Sequence, residues 1–70
     1  MFPWIRTALR RSVVVNLDTD RAFRGVLWAR RGRLLVLRSA VLLEPGADPA
    51  PVDGEVVIER GRVEFIQVMP

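Results

Sequence analysis

The sequence predicts an all-β domain: a small antiparallel sheet that curls strongly on itself behind a short N-terminal α-helix. Three observations carry that expectation. First, Val13, Val15 and Leu17 alternate with Val14 and Asn16; after a polar break at Asp18-Thr19-Asp20-Arg21, Phe23, Gly25 and Leu27 alternate with Arg24, Val26 and Trp28. Two period-two runs around a turn-forming break describe a β-hairpin. Second, Gly25 lies in mid-strand, where the missing side chain permits a sharp bend or the close approach of another backbone. Third, half of the 70 residues are hydrophobic while cysteine and histidine are absent. A chain this small buries only roughly 60% of its unfolded surface. With disulfides excluded and no zinc ligands of the usual kind, oligomerisation is the remaining source of stability.

Each further element has its own local reason. Pro3 suits the first turn of a helix. Trp4, Ile5, Ala8 and Leu9 recur at helical spacing with Arg6 and Arg10 turned away. The expectation is an amphipathic helix over residues 3–11, within an N-terminal segment 1–12, with a barrel over residues 13–70. So short a helix needs a surface to lie on, either the open end of the barrel or a partner. Arg30-Arg31-Gly32-Arg33 reads as the turn into a third strand. Leu34 to Leu37 and Val41 to Leu43 are nearly continuous apolar residues broken by Arg38-Ser39-Ala40, the pattern of a strand buried on both faces. Residues 44–51 hold Pro45, Pro49, Pro51 and Gly46 and read as a loop outside the sheet. Val56-Val57-Ile58 and the run from Val63 to Val68 form the last strand pair. Arg60-Gly61 is then a tight turn in which glycine supplies a positive φ.

Charge is unevenly placed. Residues 1–43 hold nine arginines against Asp18 and Asp20, a balance of +7; residues 44–70 hold six acids against Arg60 and Arg62, a balance of −4. All 11 basic residues are arginine, which together with the alanine and valine content associates with a high-GC genome. The basic half invites an anionic partner, or the acidic half of its own or a neighbouring chain. No apolar run reaches the roughly 18 residues of a membrane span, and Arg6, Arg10 and Arg11 interrupt any signal-peptide core. No membrane partner is expected.

Little supports catalysis. Without cysteine or histidine there is no obvious nucleophile–base pair. Turn chemistry accounts for Asp18 and Asp20, and Glu55, Glu59 and Glu64 are spaced as solvent-facing strand residues. No glycine-rich phosphate loop and no acidic metal cluster stands out. The expectation is a non-enzyme with no cofactor and no metal.

The residues of the hairpin also carry a resemblance. Val13-x-Val15-x-Leu17, a turn, then Phe23-x-Gly25-x-Leu27 resembles the first signature of the Sm-like (LSm) family. Leu34-Leu35-Val36-Leu37-Arg38-Ser39-Ala40 falls where that family has its third strand, and Arg60-Gly61 where its second signature has an Arg-Gly pair. The resemblance implies a strongly bent five-stranded antiparallel SH3-type barrel behind a helix. The residues alone fit another small SH3-type or oligonucleotide-binding-type barrel as well.

The resemblance further implies a homo-oligomeric ring, of about six or seven subunits, closed by pairing between the last two strands of neighbouring copies. Val56, Val57, Ile58, Val63, Phe65, Ile66 and Val68 would then form the subunit interface. In the family a base of single-stranded RNA stacks between the loops after strands two and four, in a pocket shaped by an Asp, an Asn and the Arg-Gly pair. Here Arg60-Gly61 is retained, Leu34 holds the Asn position, no Asp is present in the first loop, and Glu59 replaces a hydrophobic residue. Leu34 cannot read a base edge. What remains is a positive collar of Arg30, Arg31, Arg33 and Arg60, with Gly61 beside it, suited to nucleic-acid phosphates or to an acidic protein segment. Two functions follow as expectations. One is a ring-forming structural or assembly module docking other proteins through its helix or ring face, in the cytoplasm or in a phage particle, since compact Sm-like proteins are also known from phages. The other is a ring binding single-stranded RNA or DNA with little sequence preference.

Overall fold

The computed structural model describes residues 8–70. Six strands form one sheet: β1 Ser12–Leu17, β2 Ala22–Arg31, β3 Leu34–Leu43, β4 Ala50–Pro51, β5 Val56–Glu59 and β6 Val63–Val68. A 3₁₀ turn, Arg60–Arg62, joins β5 to β6. The order across the sheet is β4-β3-β2-β1-β6, with β5 also paired to β3, and every pairing is antiparallel.

The alternation read in the hairpin decides which residues face inward. Val13 pairs with Gly25 and Val15 with Phe23, so the apolar residues of both strands share one face. Val13, Val15, Leu27, Leu35 and Leu37 are fully buried, and Ala8, Ala40 and Ile58 complete the core. Each fully buried Val or Leu contributes roughly 1.5–3 kcal/mol relative to its exposed state. Between β2 and β3 the chain reverses in two residues, Gly32 and Arg33. Gly32 there has φ 58°, a value tight hairpin turns require.

Curvature is set where β2 crosses β3. A β-carbon on Gly25 would lie 2.9 Å from the Arg38 carbonyl oxygen and 3.2 Å from Ala40 Cα. Both neighbours are backbone, so neither can swing aside. The register slips at the same place: Arg24 pairs with Val41 but Val26 with Arg38, so two residues of β3, Ser39 and Ala40, stand opposite Gly25 alone. Ser39 absorbs the extra residue at φ 53°, as one residue of a bulge does. The bend divides β3 between two partners. Its first half, Leu34 to Leu37, pairs with β5, and Val41 and Leu42 pair with β4.

Three expectations are corrected. No α-helix is among the elements of the described residues. Leu9 and Arg10 form a turn, with Arg10 at φ 66°, a conformation that ends a right-handed helix. The Arg10 N–H donates to Leu27 O at 2.6 Å and the Leu27 N–H to Arg11 O at 3.0 Å. Backbone pairing with β2 thus takes the Arg10 N–H that a helix through residue 11 would use. Residues 3–7 of that expected helix lie outside the described residues. The strand count is six instead of five, because Ala50 and Pro51 pair with Leu42 and Val41. A two-residue edge strand tolerates proline, whose missing N–H there breaks no ladder. Finally, Gly61 does not have a positive φ; the left-handed glycines are Gly32, Gly46 and Gly54.

Gly25→Val should cost about 1–3 kcal/mol or more, because its branched side chain meets fixed backbone. Arg24→Ala, on the exposed face of the same strand, should change stability by less than about 0.5 kcal/mol. Urea unfolding of both variants measures the difference, and equal small effects would refute the tight crossing.

Candidate functional site

Pairing of β3 with β5 aligns Leu34 with Glu59, which brings the β2–β3 turn beside the 3₁₀ turn. The Arg60 N–H donates to the Arg33 carbonyl at 2.7 Å. The Glu59 carboxylate locks the corner, because its Oε1 accepts from the Gly61 N–H at 3.1 Å and from Arg33 Nε at 3.2 Å. It acts as an N-cap, satisfying a donor that the first turn would otherwise leave open. Donation from Gly61 holds the Glu59 carboxyl below its ordinary value; partial desolvation opposes this, and the hydrogen bond and charge of Arg33 and the charge of Arg62 reinforce it. Gly61 is needed for space. A β-carbon there would lie 2.9 Å from Glu59 Oε2 and 3.4 Å from Arg33 Nη2.

The corner therefore brings together Arg33, Arg60 and Gly61 of the five residues expected at the binding site. Arg30 and Arg31 end β2, exposed, and neither has a carboxylate partner within salt-bridge distance among the described residues. Arg62 is held by Asp18, Nε to Oδ2 at 3.2 Å. Leu34, 40% exposed, contributes an aliphatic surface with no donor or acceptor. The pairing role of Glu59 escaped the sequence reading. Its signal is an acid two residues ahead of a glycine at a strand end, the spacing of a cap acceptor.

The residues expected at a subunit interface separate into two groups. Val57, Phe65 and Val68 are 55%, 51% and 41% exposed. Ile58 belongs to the core, with Val56, Val63 and Ile66 packed against it. Backbone direction is the more useful guide, since N–H groups alternate between the two edges of an antiparallel strand. The Arg60 N–H faces β3, so Ile58 and Val56 face β3 too, and Val57 faces the other edge. The Met69 N–H donates to Ser12 O at 2.9 Å, so Gln67 and Phe65 face β1, and Ile66 and Val68 face away. No pairing among the described residues joins β5 to β6. The curled sheet therefore ends on two open edges. No helix among the described residues is long and apolar enough to cross a membrane.

The Glu59 lock predicts a pH dependence. A carboxyl whose folded pKa is depressed stabilises the fold above its unfolded pKa and loses that contribution as pH falls through the folded value. Wild type should therefore melt above Glu59→Gln at neutral pH, and the two should converge in acid, below the ordinary glutamate range. A melting difference that persists unchanged into acid would show that the Glu59 charge is not what closes the corner.

No family model matches the sequence, and comparison with curated proteins finds no match. Solved structures do match. The Sm protein of Pyrococcus abyssii, in complex with a uridine heptamer, superposes with a TM-score of 0.82 at 26% identity, covering 99% of this chain and 100% of that one. A heptameric archaeal Sm protein gives 0.81 at 24% identity, covering 94% and 96%. The P. aerophilum SmAP1 heptamer gives 0.82 at 23% identity, covering 100% and 99%. With its bent strand pair, its short crossing at Gly25 and its two open edges, the chain has an Sm-like fold.

Proposed function

We propose that this chain is a non-enzymatic ring-forming module that closes on copies of itself and serves as an assembly platform for other proteins. The observation that carries the reading is the pair of open edges: β6 ends the sheet path on one side, and β5, off that path, follows β4 along the outer edge of β3 on the other. An unpaired edge exposes donors and acceptors that invite another strand. Two different edges on one chain make a head-to-tail contact, which closes into a ring when the rotation allows it. The exposed Phe65 and Val68 would be covered by that contact. Two structures of the same fold are heptamers, which sets the size to look for.

Native mass spectrometry should show one closed species of about seven subunits, six being the nearest alternative. Val57→Pro removes an N–H that faces the open edge and leaves the pairing with β3 intact, so it should give a folded monomer. Ile66→Pro should do the same from β6. A wild-type protein that stays monomeric at micromolar concentration would end the ring reading. A ring that survives both prolines would mean that the contact lies elsewhere.

A second reading has its own observation. Arg30 and Arg31 lack carboxylate partners among the described residues, and the similar P. abyssii Sm protein is complexed with a uridine heptamer. Ring closure would repeat these arginines around one opening, where they would contact phosphates of a single strand. Leu34 offers no group to read a base, so affinity should be nearly indifferent to sequence. It should fall with salt at a log-log slope of about −0.7 per phosphate neutralised. Arg31→Ala should flatten that slope more than Arg33→Ala, because Arg33 is already held by Glu59. Filter binding of oligouridine and oligoadenine at several salt concentrations measures both. Uridine preference that persists in high salt would contradict this account of the collar.

A further inference from the structure

The outer face of β2, β3 and β5 carries an open groove of about 500 Å³. Its floor is apolar: Trp28, the extra residue at the second register slip of β2, lies beside Val36, with Leu34 and Val57 largely exposed at 40% and 55%. Its walls are mostly basic, with Arg10, Arg31 and Arg38 against a single acid, Glu55. The guanidinium carbons of Arg10 and Arg38 lie 3.9 and 4.1 Å from the centre of the Trp28 ring. Arg38 is tied to Glu55, Nε to Oε2 at 2.8 Å. Arg10 and Arg31 have no carboxylate within salt-bridge distance among the described residues.

Stacking on an aromatic ring occupies the face of a guanidinium and leaves its in-plane N–H donors directed outward. Those donors match a carboxylate, which they can take in bidentate fashion. The floor beside them matches an aliphatic side chain. A nucleobase fits less well, because the Trp28 ring it would stack on already carries two guanidinium groups. We propose that this groove docks an acidic, aliphatic peptide segment of another protein, its carboxylates on Arg10 and Arg31 and its Leu, Ile or Val side chain on Leu34 and Val57. The proposal rests on the reading of the chain as a docking module, not on ring closure. Strand pairing at β5 would use its backbone edge and leave the outward face of Val57 in place.

The test is selection of a random heptapeptide display library on the immobilised full chain, followed by fluorescence polarisation of the selected peptides. Enriched peptides should combine Asp or Glu with Leu, Ile or Val. Arg10→Ala with Arg31→Ala should weaken them by about tenfold or more, the scale of losing charge-assisted contacts. Replacing the peptide acids by their amides should do the same. Arg31→Ala alone, at an exposed strand end, should weaken binding several-fold and covers the case in which the double variant does not fold. Peptides without acids, or affinities indifferent to Arg31→Ala, would overturn the proposal. So would displacement of the peptide by oligouridine bound through the same arginines, which would make the groove a nucleic-acid site. Sedimentation of the same samples separates the two readings: a ring that binds no acidic peptide rejects the groove alone, and a monomer that binds it rejects the ring alone.

Discussion

The architecture depends on one backbone crossing. Where Gly25 meets Arg38 and Ala40, any β-carbon would come within 2.9 Å of a carbonyl oxygen. Glycine removes the obstacle, and β3 accommodates the crossing by carrying Ser39 in a left-handed conformation. That conformation is uncommon for a residue other than glycine and costs of order 1 kcal/mol. The bend it allows gives β3 two partners on one side, β5 along its first half and β4 along its second. The sheet curls over Leu27, Leu35 and Leu37 and stops with the outer edges of β5 and β6 unpaired. Core and open edges follow from the same contact.

Electrostatics refine what that frame presents. Three arginines of the basic half meet acids of the acidic half within the chain, Arg33 with Glu59, Arg38 with Glu55 and, at 4.0 Å, Arg21 with Glu44, while Arg62 of the acidic half meets Asp18 of the basic half. All of these pairs are exposed, and such pairs contribute little to stability. Their consequence is for binding. They neutralise some arginines and leave others, notably Arg10 and Arg31, as the donors available to a partner. The charge on offer is therefore smaller than a count of arginines suggests, and it lies at two places, the corner of the turns and the groove beside Trp28.

Much of the fold was legible because it rests on local rules. Alternation in Val13 to Leu17 and Phe23 to Leu27 fixes the inward face, and mid-strand Gly25 marks the bend. Polar Arg38-Ser39 breaks an apolar run where the bulge falls. What escaped depends on contacts far apart in sequence. The turn at Leu9 and Arg10 follows from hydrogen bonds to Leu27, which no helical periodicity can report. The pairing of Ala50 and Pro51 is an edge contact allowed by the bent β3. The site was legible in outline, since Arg33, Arg60 and Gly61 do meet. Glu59 looked like a solvent-facing strand residue because its cap geometry exists only once the 3₁₀ turn forms. Trp28 gave no signal of its two arginine neighbours, which arrive from residues 10 and 38.

That two open edges close on neighbouring copies is the central claim, and backbone amide exchange reaches it most directly. Val57 and Ile66 donate to no strand of their own chain if N–H groups alternate as described, whereas Ile58 and Gln67 face β3 and β1. In the assembled protein all four amides should exchange slowly. On dilution below the assembly threshold, Val57 and Ile66 should become fast while Ile58 and Gln67 stay protected by the folded monomer. Fast exchange at Val57 and Ile66 at every concentration would contradict the account.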